Sequence, residues 1–143
     1  MYKYMMDINI WAVLVCAIIS MVLGFVWYGP LFGKKWMEIT GANEKTIEQR
    51  KEMQKRAGPL YAIQFILSLF QAYVLAHYIV GWKDASGLEN SLWIWAAFIM
   101  PMVAQGAMWN ADSKKISWGR FLIQGGYQLI IFIIFGLILE AWR

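Results

Sequence analysis

The chain has one cysteine, one histidine and three prolines among its 143 residues. A lone Cys16 allows no disulfide within the chain, and one Cys with one His cannot supply the clustered ligands of a metal site. A nucleophile paired with a base is equally hard to build from such a set. There is no glycine-rich phosphate loop and no metal-ligand spacing. These absences weigh against an enzyme, and no catalytic residue, metal or cofactor is expected.

Charge is missing from four long stretches. Asp7 is followed by no charge until Lys34, Arg56 by none until Lys83, Glu89 by none until Asp112, and Arg120 by none until Glu140; the windows hold 26, 26, 22 and 19 residues. Roughly 20 apolar residues suffice for a helix to cross the hydrocarbon of a bilayer. A helix lying on a soluble core would show polar positions every few residues, and these windows do not. Hydrophobic residues make up 60% of the chain. The reading is an all-α integral membrane four-helix bundle, a single transmembrane domain over 1–143. Its helices are expected near 8–28, 59–82, 90–110 and 117–142, with a charged or amphipathic cytoplasmic segment at 34–56. The nine tryptophans fall near the window ends, where an apolar ring with one N–H settles at headgroup level. The first window lacks a cleavage site before Pro30 and is expected to remain as a helix rather than be removed as a signal peptide.

Lys and Arg set the orientation. Lys34, Lys35, Lys45, Arg50, Lys51, Lys55, Arg56, Lys114, Lys115 and Arg120 fall on one side, and Lys3, Lys83 and Arg143 on the other. The positive-inside rule then predicts both termini outside and both basic loops in the cytoplasm. A nucleic-acid partner would need a recognition fold behind the basic charge, and none is visible. Membrane lipids are the expected partners.

Local signals refine this picture. Ala12, Cys16, Ser20 and Gly24 place small side chains along one side of the first helix. That stripe suits close packing within the bundle or a homo-oligomer seam. Gly29-Pro30 is expected to end the first helix, with Trp27, Tyr28 and Trp36 anchoring the interface and Pro30 fixing the exit angle. Leu31–Met37 should run along the bilayer surface. Asn43 is expected to cap a short separate helix reaching Arg56. Pro101 predicts a kink in the third helix.

No Asp, Glu, Lys or Arg lies deep in any span, which argues against an ion pump or proton-coupled carrier. His77 is expected to be bonded at headgroup level. Five glutamines remain: Gln64, Gln71, Gln105, Gln124 and Gln128. An unpaired amide in hydrocarbon costs several kcal/mol, so these should face one another. Gln64, Gln105 and Gln124 lie about 8–10 Å from the basic ends of their helices at ~1.5 Å per residue. Tyr61 joins Gln64 and Gln71 on one helix face, and Tyr127 joins Gln124 and Gln128 on another. These seven residues are the candidate ligand site.

The run Gly24–Met37 (GFVWYGPLFGKKWM), the stretch Tyr61–His77, the set Trp95, Phe98 and Pro101, and the Trp118–Trp142 segment with Gly136 resemble a bacterial and archaeal membrane family known as domain of unknown function 1761. Its most specific element here is Trp27–Gly33. The resemblance spans nearly the whole chain and implies a four-helix protein of a prokaryotic plasma membrane. It carries no established activity, and so no catalytic residue. Two functions stay open: a binding or transport module for a small or lipid-like molecule with a polar pocket open to the cytoplasm, and a structural or partner-binding membrane protein using its basic cytoplasmic surface.

Overall fold

The computed structural model describes residues 8–110 and 112–143; Lys3, which entered the charge count, lies outside them. The described chain is all-α, with four helices long and apolar enough to cross a membrane: Ile10–Leu31, Ile47–Gly81, Gly87–Met108 and Lys114–Ala141.

The first span is α1 (Ile10–Val26) followed by one wide π turn, Trp27–Leu31. The expected break at Gly29-Pro30 is instead this turn. Pro30 has no N–H to return to Val26, and the backbone bonds one residue further back, Phe32 N–H donating to the Trp27 carbonyl at 2.9 Å. A short α2 (Gly33–Thr40) then follows.

The second span differs most from the sequence reading. No separate helix is capped by Asn43; one helix, α3 (Ile47–Gly81), runs unbroken for 35 residues. Thr46 caps it, its hydroxyl accepting from Gln49 N–H at 3.2 Å while Gln49 Oε1 accepts from Thr46 N–H at 3.0 Å. Pro59 is exposed, as is Lys55, whose carbonyl it leaves without a donor. On a water-accessible stretch that loss is made good by solvent, so the helix continues. At ~1.5 Å per residue α3 is about 52 Å long, well beyond the roughly 30 Å of hydrocarbon. The charged first turns must therefore project from the bundle.

The third span is α4 (Gly87–Ile94), a second π turn (Trp95–Ile99) and α5 (Met100–Met108). The irregularity lies just ahead of Pro101, which has no N–H for the Ala97 carbonyl. The fourth is α6 (Lys114–Ala141). Ser86 and Ser113 cap α4 and α6, so both helices start three residues before the expected boundaries 90 and 117. Charge gaps mark where hydrocarbon begins, whereas caps mark where hydrogen bonding begins.

All other spans pack on α6, the most buried of the four. The apolar core joins Ala12, Val13 and Cys16 of α1, Ala72, Leu75, Ala76 and Ile79 of α3, and Tyr127, Ile131, Phe132, Phe135 and Leu139 of α6. It occupies the half of the bundle away from the basic loops. There three residues of the small stripe, Ala12, Cys16 and Ser20, are buried within the chain. Polar contacts stitch the same end. Asn9 Nδ2 donates to the Trp142 carbonyl at 2.9 Å, Gly87 N–H donates to Glu140 Oε2 at 3.0 Å, and Arg143 Nη1 donates to the Ile79 carbonyl at 3.1 Å. Each satisfies a helix-terminal group that would otherwise lack a partner.

The α4–α6 crossing depends on bare backbone. A methyl group built on Gly136 would collide with Ser91 Oγ and the Gly87 carbonyl, whereas one on Gly106 would meet nothing. Gly136→Ala should therefore lower stability by about 1–3 kcal/mol, measured as denaturant or thermal unfolding in detergent. Gly106→Ala should be neutral or slightly stabilising by its gain in helix propensity.

Candidate functional site: a polar cavity in the basic half

The half of the bundle nearer the basic loops is not filled. A cavity of about 540 Å³ lies between α1, α3, α5 and α6. Its shape follows from the helix arrangement. α3 packs on α1, on α6 and on the start of α4, but not extensively on α5. Nearly every residue of α3 from Ile47 to Leu67 is exposed. The two helices therefore diverge toward the basic end and leave a wedge.

Gln124, Tyr127 and Gln128 stand at i, i+3 and i+4 on α6 and share one wall. Tyr61 and Gln64 face them from α3, and Val103 from α5. On α1 the wall is Ser20, Met21, Gly24, Phe25 and Tyr28. Among the described residues no charged side chain lines the cavity. The polar surface consists of three amides, three phenols and one serine hydroxyl.

Hydrogen bonds and ring contacts hold the walls. Tyr127 Oη donates to the Ser20 carbonyl at 2.7 Å, pinning α6 to α1 at the cavity floor. Gly24 leaves room for that ring: a methyl group there would sit 3.3 Å from the Tyr127 hydroxyl. The Tyr127 ring lies 5.4 Å from Tyr28 and 6.3 Å from Trp27, and Trp36 of α2 stands edge-on to Tyr28 at 4.9 Å. Both π turns point a tryptophan at α6. Trp27 Nε1 donates to the Ile123 carbonyl at 2.9 Å and Trp95 Nε1 to the Gly125 carbonyl at 3.2 Å. The Gly125-Gly126 pair leaves these carbonyls open to approach. Gln64 Nε2 donates to Ser68 Oγ at 3.4 Å. Gln128 Oε1 is buried and has no partner.

Of the seven candidate residues the cavity gathers five: Tyr61, Gln64, Gln124, Tyr127 and Gln128. It does not gather the other two. Gln105 is exposed on α5, and Gln71 is half-buried one turn beyond Ser68. Matched depth along a helix does not fix direction around it. The expected interface residues make contacts within the bundle. Trp27 is turned inward as a donor, Tyr28 is cavity wall, Trp36 is half-buried against Tyr28, and Pro30 sits exposed in the wide turn. His77 Nδ1 lies 2.9 Å from the Tyr73 carbonyl, with the two rings 4.5 Å apart. Sequence reasoning missed Ser20, Met21, Phe25 and Val103. For Ser20 the signal was present: the small stripe serves packing at Ala12 and Cys16 and becomes cavity wall at Ser20 and Gly24.

This is a polytopic membrane bundle with one sealed half and one hollow, polar half. The chain belongs to the family described as Protein of unknown function (DUF1761), whose model matches residues 11–140. No curated protein and no solved structure matches it.

Removing the Tyr127 hydroxyl tests the floor of the cavity. Tyr127→Phe should cost about 0.6–1.7 kcal/mol, from the average to the largest value measured for interhelical hydrogen bonds in a membrane protein, read from unfolding in mixed micelles. A cost below about 0.2 kcal/mol, roughly one-third of the average, would show that the bond pins nothing.

Proposed function

We propose that this protein is a binding or transport module that takes a small or lipid-like molecule into the cavity from the cytoplasmic side of a prokaryotic plasma membrane. The observation supporting this is the cavity itself. Its volume of about 540 Å³ falls within the roughly 300–1,000 Å³ of small-molecule sites. It is walled by amides and phenols at a depth where a bundle built only for stability would be packed with apolar side chains. Its rim carries two aromatic rings, Phe25 59% and Tyr61 49% exposed, in contact at 5.3 Å. A molecule partitioned into the bilayer reaches such a rim without crossing a headgroup layer.

The excess of Lys and Arg supports placing both termini outside and the basic end, with residues 34–56, in the cytoplasm. A second reading, a partner-binding protein using its basic cytoplasmic surface, draws on the projecting turns of α3, where every residue from Ile47 to Arg56 is exposed.

Two experiments test this. In a Cys16→Ser background, Ser86→Cys should react with an impermeant thiol reagent added to intact cells, and Ser113→Cys should not; equal labelling would overturn the orientation. A lipid probe with a diazirine in its chain should label cavity positions of α1 and α6 in the purified protein. The triple variant Gln64→Leu, Gln124→Leu, Gln128→Leu should keep its helix content and lose that labelling. Labelling of the wild type no stronger at the cavity than at the exposed Leu122 and Phe98 would sink the binding reading.

A further inference from the structure

We infer that the groove between the end of α3 and the start of α4 is a binding site for a lipid with an ammonium headgroup. The site is separate from the polar cavity and lies at the end of the bundle away from the basic loops. A groove of about 440 Å³ is lined there by Tyr78 and Trp82 from α3 and by Glu89, Trp93 and Ala97 from the third span.

Helical spacing assembles the set. Tyr78 and Trp82 stand at i and i+4, so one ring lies a turn below the other, and Glu89 and Trp93 repeat that spacing on α4. The turn joining the two helices is held by its own bonds. Asn90 Nδ2 donates to the Ser86 carbonyl at 3.2 Å, and Ser86 Oγ accepts from Glu89 N–H at 3.0 Å.

Three observations set the chemistry. Tyr78, Trp82 and Trp93 are each more than half exposed, and among the described residues none of them packs on another aromatic ring. Glu89 is exposed, and its carboxylate joins no ion pair among the described residues. The charge is also opposite to that of the far end of the bundle: the stretch between the helices holds Asp84 and Glu89 against Lys83 alone. Aromatic faces attract a cation through the ring quadrupole, indole most strongly, and a carboxylate beside them supplies the counter-charge. An anionic headgroup meets repulsion from Glu89, and a neutral one gains nothing from it. A trimethylammonium or ethanolammonium group satisfies both the rings and the acid.

Depth makes the ligand a lipid. Along the helix axis Trp93 lies about 6 Å and Ala97 about 12 Å from Glu89, at ~1.5 Å per residue. The groove therefore leads from the charged turn down into hydrocarbon. An ammonium held at Glu89 lays its chain along that path, which a free cation leaves empty.

The test uses the purified full chain in uncharged maltoside micelles. Three probes of one chain length carry a diazirine close to the head: dodecyltrimethylammonium, its neutral isostere with a tert-butyl head, and dodecyl sulfate. Labelling of the α4 peptide around Trp93 is divided by labelling at the exposed Leu122, which cancels partitioning into the micelle. The ammonium probe should exceed the isostere about tenfold, the yield of two exposed cation–π contacts. That ratio should fall toward one in the double variant Trp82→Leu, Trp93→Leu. It should also fall in Glu89→Gln, an exchange at an exposed position that keeps the fold if the double variant does not. Equal labelling by ammonium and isostere in the wild type would overturn the inference, as would stronger labelling by the sulfate. An ammonium preference unchanged in both variants would overturn it too, because the preference would then belong to the micelle surface. Displacement of the probe by an equal concentration of tetramethylammonium would show a site for free cations and overturn the lipid assignment.

Discussion

Within hydrocarbon a polar group has no water to bond, so its partner must come from the protein. Most of the unusual geometry of this chain answers that constraint. Prolines 30 and 101 each remove a backbone donor, and the wide turns at Trp27–Leu31 and Trp95–Ile99 adjust the bonding beside them. Each wide turn opens on a tryptophan, and each indole N–H finds a carbonyl of α6. Tyr127 gives its hydroxyl to α1. α6 thus receives polar bonds from both flanking spans at neighbouring levels, and this makes it the element on which the others are assembled. Gln128 Oε1 stands out because it does not follow the rule.

The two halves of the bundle solve different problems. At the end away from the basic loops, small residues bring helices together and the chain's own termini are tied in through Asn9, Glu140 and Arg143. Alanine, glycine and serine at the crossings permit backbone approach that larger side chains would forbid. Toward the basic end, glutamines and tyrosines replace them, and α3 and α5 separate. Stability is concentrated in one half, which leaves the other free to remain hollow.

Much of this was legible in the residues. Charge gaps place all four spans, because burying an unpaired charge in hydrocarbon is too costly to overlook. The glutamines and their tyrosine neighbours marked the polar interior, and five of seven candidates share the cavity. What was not legible depends on direction and continuity. Gln105 lies at the right depth but on the wrong side of α5, and nothing in its spacing from Pro101 reveals how a wide turn rotates the residues after it. The second helix was expected to begin near 59, where the charges stop, but a helix runs on through charged turns that water can solvate, and Pro59's missing donor costs little where water replaces it. The inward turn of Trp27 was hidden because an indole at a window's end suits a headgroup and a neighbouring carbonyl equally well.

The unbroken length of α3 has a mechanical consequence. The helix is held near Ala72, which is fully buried, and it is free beyond Arg56. Gln64 lies about 12 Å from Ala72 along the axis and Ile47 about 38 Å, at ~1.5 Å per residue. The helix is therefore a lever with its fulcrum in the sealed half. A sideways displacement of the projecting tip reaches the glutamine wall reduced about threefold, from that ratio of arm lengths. Whatever grips the charged turns in the aqueous phase thus has a rigid arm leading to the width of the wedge.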